Sequence, residues 1–247
     1  MIQTLAALLF AHVFADFVLQ TRFTAENKRR LPVLLMHGAI VLAMAEAALG
    51  RVDAWEVPAL ALLHIGTDWL KARFAPARSL GAFLADQGAH LAALAALAVW
   101  RPDLWAGGLW ARLAGEGPLL AALPAAMALA AGLLIATRAG GFAVGFLMAP
   151  WAGGDLPKGL ANGGKLIGIL ERGLIFVLVM VGQPAGIGFL VAAKSVLRFE
   201  TTSKDQSAGE YVIIGTLASF GWALVIAYAT RLLMATLPPL GILAANP

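Results

Sequence analysis

Long apolar runs, each interrupted by only one or two polar side chains, follow one another along most of the chain, and short stretches rich in Arg, Lys, Asp, Gly and Pro separate them. Runs of about 17–25 apolar residues are the length that crosses a hydrocarbon core as helix. The pattern predicts eight spans, near residues 2–20, 33–50, 55–72, 80–99, 118–137, 166–182, 184–199 and 209–234. The expected fold class is therefore all-α, a polytopic transmembrane helical bundle in two halves. Residues 1–100 form a four-span half containing His and Asp, 101–117 an external linker, and 118–247 a glycine-rich four-span half. The first run has no basic leader and no small-residue cleavage site, and His12 and Asp16 stand at its centre, so it is expected to be a retained helix. Little more than Gln183 and Pro184 joins the sixth and seventh spans. A re-entrant pair whose freed backbone lines a cavity is the alternative there to two full crossings.

Composition narrows the class. Hydrophobic residues make up 60% of 247 positions and charged residues 13%, with a mean hydropathy of +0.82, which leaves too little polar surface to coat a soluble globule. Cysteine is absent, so there is neither a disulfide framework nor a thiolate site, and any metal must be held by His and carboxylate. The net charge of +4 would suit nucleic acid, but the placement of the basic residues explains it better. Arg22, Lys28, Arg29, Arg30, Lys71, Arg73, Arg78, Arg138, Lys158, Lys165, Arg198 and Lys204 fall in alternate loops on one side, with Arg51, Arg101, Arg112 and Arg231 opposite. The positive-inside rule then makes the first set cytoplasmic and puts both termini outside. The expected location is a bacterial inner (plasma) membrane, crossed several times, with membrane lipids as partners and no nucleic acid. Trp100, Trp105 and Trp110 suit the outer interface.

The chemistry is concentrated in the first hundred residues. His12 and Asp16, then His64 and Asp68, are pairs four apart inside apolar segments; Asp86 and His90 repeat the pair in reverse order, and His37 stands alone. A separation of four places both side chains on one helical face, about 6 Å apart along the axis. Because the span carrying Asp86 and His90 runs opposite to the other two, the reversed order leaves every aspartate nearer the cytoplasmic side and every histidine one turn deeper. His37 falls at the same depth. Ionisable groups in membrane helices are costly and face a bundle interior or a wet cavity. Four imidazoles and three carboxylates in one slab suit a divalent cation such as Zn²⁺, Mn²⁺ or Fe²⁺. On that reading His12, His37, His64 and His90 are metal ligands and Asp16, Asp68 and Asp86 the catalytic carboxylates, some of them orienting an imidazole. Gln20, Asn27 and Gln87 would extend the polar network, and Lys71 would meet an anionic headgroup at the cytoplasmic edge.

The second half carries a smaller charged cluster. Arg172, Lys194 and Arg198 are candidates for binding a phosphate or lipid headgroup, and Glu171 is a candidate structural partner for Lys194 or Arg198. Gly164, Gly168, Gly182, Gly186 and Gly188 allow close helix approach.

The run HVFADFVLQ followed by ENK, a lone His in the next helix, HIGTDWLK and DQGAH together resemble the bacterial membrane family catalogued as domain of unknown function 3307. NGGKLIGILER, GQPAGIGFLVAAKSVLRF and EYVIIGTLASFGWAL in the second half resemble its longer members. The resemblance implies a multi-span inner-membrane protein and no particular activity. The scattered His and Asp positions resemble, more faintly, membrane-bound metal-dependent hydrolases. The leading expectation is a metal-dependent hydrolase of a lipid or lipid-linked phosphate. The alternatives are a proton- or cation-coupled transporter, and a non-catalytic membrane partner of a cytoplasmic protein docking on the basic loops.

Overall fold

The computed structural model describes residues 1–76, 78–115, 117–152, 162–202 and 206–240, with the side chains of 118–119 and 197–202 left aside. Every regular element among the described residues is a helix. The chain divides into two compact units: Met1–Leu134 together with the described residues from Leu232 onward, and Ile135–Arg231.

Unit 1 begins with α1 (Ile2–Phe14), which widens into a π-helical turn at Ala15–Leu19. The short α2 (Arg22–Glu26) is capped by Thr21, whose hydroxyl accepts from the Thr24 amide at 3.2 Å. In α3 (Leu31–Leu49) proline occupies the first turn, where its missing N–H costs nothing, and Gly50 closes the helix at φ 70°. Next come α4 (Glu56–Phe74) and α5 (Leu80–Trp100), the latter capped by Ser79, whose hydroxyl accepts from the Ala82 amide at 3.2 Å. Then follow α6 (Leu109–Ala114), α7 (Pro118–Ala121) and α8 (Leu123–Leu134). The central helix is α1, which packs on α3, α5 and α8, while α4 bridges α3 and α5. Small side chains permit this: Ala6 packs with Ala125 and Ala128, bringing α1 and α8 together.

The segment after α5, read from its sequence as a linker, is packed in its first ten residues against one end of this bundle. Leu104 and Trp105 are buried in a core with Leu8, Leu49 and Val57. The Thr4 hydroxyl donates to Pro102 O at 3.0 Å and accepts from the Trp105 amide at 3.2 Å, and the terminal amine donates to Pro102 O at 3.0 Å. Leu109 N donates to Gly50 O at 2.8 Å and Trp110 Nε1 to Ala47 O at 2.7 Å. Gly108 is needed for this closure, because a Cβ there would overlap Leu49 O. At the same end, buried Glu56 pairs with Arg101, which also reaches Asp103 at 3.1 Å.

Unit 2 contains a second π turn (Ile135–Ala139), α9 (Gly140–Met148) ending in a 3-10 turn (Ala149–Trp151), α10 (Gly163–Met180), α11 (Gly186–Thr202) and most of α12 (Gln206–Met234). A π turn disrupts the usual backbone pairing, and here side chains from neighbouring helices bond two of its carbonyls. Trp222 Nε1 donates to Ile135 O at 3.0 Å, and Arg172 donates through Nη2 to Thr137 O at 2.8 Å. Gly140 leaves room for both side chains, since a Cβ there would stand 2.6 Å from Trp222 and 3.1 Å from Arg172. Ile175, Phe220 and Ala223 form the apolar core of this unit.

Among the described residues, five helical stretches are long and apolar enough to cross a membrane: Ile2–Leu19, Leu31–Leu49, Leu80–Trp100, Leu123–Trp151 and Gln206–Met234. Three of the eight expected spans fall outside these five. The other three segments are helical, but α4 carries Glu56, Asp68, Lys71 and Arg73, α10 carries Lys165, Glu171 and Arg172, and the apolar part of α11 stops at Val196. A correction concerns Arg138, expected in a loop after residue 137; it lies in the π turn, inside a helical run that continues to Trp151 because the following residues are apolar.

Candidate metal centre in the first unit

His12, Asp16, His37, His64, Asp68, Asp86 and His90 are brought together inside unit 1, on four different helices. Each histidine is buried, as are Asp68 and Asp86. The rings of His64 and His90 stack with centroids 4.0 Å apart at 17°, and His12 lies 5.4 Å from His64 and 5.1 Å from His90. The π turn sets the aim of Asp16. Its Oδ1 stands 3.2 Å from His37 Nε2 and 3.4 Å from His64 Nε2, while its Oδ2 is 3.9 Å from His12 Nδ1. Asp68 Oδ2 lies 3.4 Å from both His37 Nε2 and His64 Nε2.

Two lysines reach into the same layer. Lys28 Nζ donates to Asp68 Oδ2 at 2.6 Å and Lys71 Nζ to Asp86 Oδ2 at 2.7 Å. Among the described residues Asp16 alone of the three aspartates has no lysine partner. With neutral imidazoles the cluster therefore carries one carboxylate in excess, and a buried unpaired charge is costly enough to demand a cation or a proton.

The hydrogen bonds say where a cation would go. His12 Nε2 lies 3.3 Å from Gln87 Oε1, and His90 Nε2 lies 3.5 Å from the backbone carbonyl of His64. Both oxygens only accept, so with the Gln87 amide oriented by its contacts each Nε2 carries the proton and each Nδ1 keeps a lone pair. His12 Nδ1 and His90 Nδ1 are buried with no hydrogen-bond partner. A lone pair facing the Asp16 carboxylate is repulsive until a positive charge stands between them. Gln87 also donates from Nε2 to Asp16 Oδ2 at 3.5 Å and to Asp86 Oδ2 at 3.2 Å, so one amide orients both an imidazole and a carboxylate.

His12, Asp16, His64 and His90 each offer a ligand atom, all within 4.8 Å of one another; His37, His64 and Asp68 form a second such group, and Asp68, Asp86 and His90 a third. Tetrahedral coordination at bond lengths of about 2.0–2.1 Å separates ligand atoms by about 3.4 Å, so no pair need close by more than about 1.4 Å. The residues present thus fit a divalent cation. His37 is engaged differently: its Nε2 lies 3.1 Å from Gln20 Nε2 and 3.2 Å from His64 Nε2.

The remaining sequence candidates lie elsewhere. Arg172, expected at a headgroup, is buried in unit 2 and spends its donors on Thr137 O and, at 3.0 Å, on the Ser219 hydroxyl. Lys194 pairs with Glu171 at 2.7 Å, so its charge is already matched. The side chain of Arg198 is outside the described residues. Lys71 is engaged with Asp86 and remains 38% exposed. Lys28 was assigned only to the basic loop by its sequence, yet it belongs to the cluster.

All seven clustered residues fall within the stretch matched by a known family model. Residues 4–106 match the family described as Protein of unknown function (DUF3307). Over this stretch the chain is similar to that family. The DUF3307 match therefore ends inside the packed segment that follows α5, after Trp105. No curated protein and no solved structure matches the chain.

Proposed function

We propose that this chain holds a divalent metal at His12, Asp16, His64 and His90, and uses it to hydrolyse a lipid or lipid-linked phosphate. The observation that carries the reading is the pair of buried, partnerless Nδ1 atoms of His12 and His90 beside Asp16, the one aspartate without a lysine. When bound, a metal of this kind lowers the pKa of a coordinated water towards neutrality and polarises a phosphoryl oxygen. Gln87 fixes the tautomer of His12. Lys28 and Lys71 neutralise Asp68 and Asp86, so the positive charge that a phosphate requires would come from the metal. His37 supports His64 from the far side. The apolar helices support a site within a membrane, and the basic loops favour a bacterial inner membrane with Lys28 and Lys71 on the cytoplasmic side. Proton or cation coupling is the second reading, favoured by the same excess carboxylate, which a proton also neutralises.

Elemental analysis of detergent-purified protein separates the two. The wild type is expected to carry about one equivalent of Zn, Mn or Fe, and His12→Ala, His90→Ala and Asp16→Asn each to lose most of it while staying folded. Metal-free, folded wild type after reconstitution with each ion would refute the metal reading and leave coupling in its place.

A further inference from the structure

Asp16 turns its two carboxylate oxygens to different neighbours. Its Oδ2 faces His12 Nδ1 at 3.9 Å, while its Oδ1 faces His37 Nε2 at 3.2 Å and His64 Nε2 at 3.4 Å. Across that second pair stands Asp68, whose Oδ2 is 3.4 Å from each of the two nitrogens. None of these four side chains, Asp16, His37, His64 and Asp68, is more than 6% exposed, so bulk water does little to separate their charges.

The two nitrogens confront each other. They are 3.2 Å apart and the ring centroids 5.3 Å, so the rings meet nearly end to end. Two N–H groups cannot point at each other across that gap, and at least one nitrogen therefore turns a lone pair towards the carboxylates. Asp16 Oδ1 is itself buried without a hydrogen-bond partner. Gln20 Nε2, 3.1 Å from His37 Nε2, and Lys28 Nζ, 2.6 Å from Asp68 Oδ2, relieve this concentration of electron pairs only from its edges. The spacing is also that of a coordination shell. His37 Nε2, His64 Nε2 and Asp68 Oδ2 stand 3.2–3.4 Å from one another, and tetrahedral coordination at about 2.0–2.1 Å calls for about 3.4 Å. These ligand atoms need not draw together; the rings need only tilt.

We propose that His37, His64 and Asp68 form the seat of a second divalent cation, joined to the first through Asp16, which gives one oxygen to each ion. With both bound, His64 serves the second ion, and the first keeps His12, Asp16 and His90 and gains an open position. The catalytic use of the pair rests on the hydrolase reading: two ions about 3.5–4 Å apart clamp the attacking and leaving oxygens of a phosphoryl transfer. The seat itself rests on spacing, burial and the facing nitrogens.

Charge sets the order of binding. With neutral imidazoles, three carboxylates and two ammonium groups leave one negative charge in excess, and the first divalent ion turns this into one positive charge in excess. A second ion enters a positive site in which Lys28 already holds Asp68. The first ion is therefore the one retained through purification, and the second binds reversibly from solution, with Lys28 holding its affinity down.

The test is titration of the apo protein in detergent with Mn²⁺, read by equilibrium dialysis and by electron paramagnetic resonance, because two Mn²⁺ ions sharing a carboxylate are spin-coupled and distant ones are not. The wild type is expected to take one ion with the spectrum of an isolated Mn²⁺, then a second, at least tenfold weaker, that brings in the coupled spectrum. Lys28→Met, which removes the competing ammonium, should tighten the second ion at least tenfold, a gain that loss of a structural salt bridge would not produce. His37→Ala should abolish the coupled spectrum and keep the first ion. A single ion that is lost in His12→Ala and His90→Ala, with no coupled pair in the wild type or in Lys28→Met, overturns the second seat and keeps the hydrolase reading. A single ion kept in those two variants and lost in His37→Ala overturns the pair and refutes the ligand set on which the hydrolase reading stands. A second equivalent that stays uncoupled, or that survives His37→Ala, is adventitious and also overturns the seat.

Discussion

Gln87→Leu tests the candidate centre without touching a ligand. The substitution removes the acceptor that holds the proton on His12 Nε2, at 3.3 Å, and a donor to Asp16 Oδ2, at 3.5 Å. Removing an outer partner of this kind costs about 10–100-fold in metal affinity. At about 1.4 kcal/mol per tenfold, that corresponds to about 1.4–2.8 kcal/mol. Leaving the His12 N–H buried and unbonded should also destabilise the protein by about 1–3 kcal/mol. At about 2–4 °C per kcal/mol for a chain of this size, the melting temperature falls by several degrees. Gln20→Leu is the matched control: it makes the same chemical change beside His37, 3.1 Å away, and touches none of His12, Asp16, His64 or His90. Its melting temperature should fall comparably, while its metal affinity changes less than that of Gln87→Leu, since it reaches Asp16 and His64 only through His37, which stands 3.2 Å from each. Competition of the apo protein against a chromophoric chelator gives the affinities, and thermal unfolding in detergent gives the stabilities. Equal effects of the two variants on affinity, or none in either, would mean that the cluster is a set of structural hydrogen bonds with no dedicated ion.

How much of this was legible from sequence depends on what each residue's signal was. His12, Asp16, His64, Asp68, Asp86 and His90 could be read because an ionisable group inside an apolar run is expensive, and spacing by four fixes which face it occupies. His37 followed from depth alone. Gln20 and Gln87 were visible as network members, but not which of them serves the candidate ligands, because that depends on which helix each faces. Lys28 was hidden among Arg29, Arg30 and Arg22, where composition predicts a solvated loop and nothing marks the one side chain that turns back to Asp68. The two π turns left no trace, since a shift in backbone pairing has no composition of its own; yet one of them aims Asp16 and the other is bonded by Arg172. Trp105 looked like an interface anchor beside Trp100, and only packing separates them: Trp105 is 3% exposed and Trp100 61%. Apolar character likewise could not fix the number of crossings, because the same helix-forming residues build α4 and α10 whether or not their charges are tolerated in a bilayer.

Three further outcomes are expected. Gly108→Ala should lower the melting temperature by about 4–8 °C, since its Cβ overlaps Leu49 O and would part the bonds from Leu109 and Trp110 at about 1 kcal/mol each, whereas Gly88→Ala, with open space around it, should be neutral or stabilising by up to about 1 kcal/mol. A fall for Gly88→Ala larger than that for Gly108→Ala would refute the packing of the 101–110 segment. Hydrogen-bonded guanidinium groups, Arg51 and Arg101, hold the carboxyls of Asp53 and Asp103 below the ordinary carboxylate range. A depressed folded value means that their stabilisation is complete above the unfolded value of about 3.9 and is lost as pH falls through the folded values, so the wild type should lose more thermal stability between about pH 5 and pH 3 than the Asp53→Asn, Asp103→Asn double variant; equal losses would refute the assignment. The last outcome concerns orientation. Ala25 and Ala106 are both exposed, the first in the segment bearing Arg22, Lys28, Arg29 and Arg30, the second in the packed segment beside Arg101 and Trp105. Cysteine is naturally absent, so a single cysteine at either position can be labelled in intact cells without background. If the more basic end faces the cytoplasm, an impermeant maleimide labels Ala106→Cys and spares Ala25→Cys until the membrane is opened. The reverse pattern would place Lys28, Lys71 and the aspartates on the outer side.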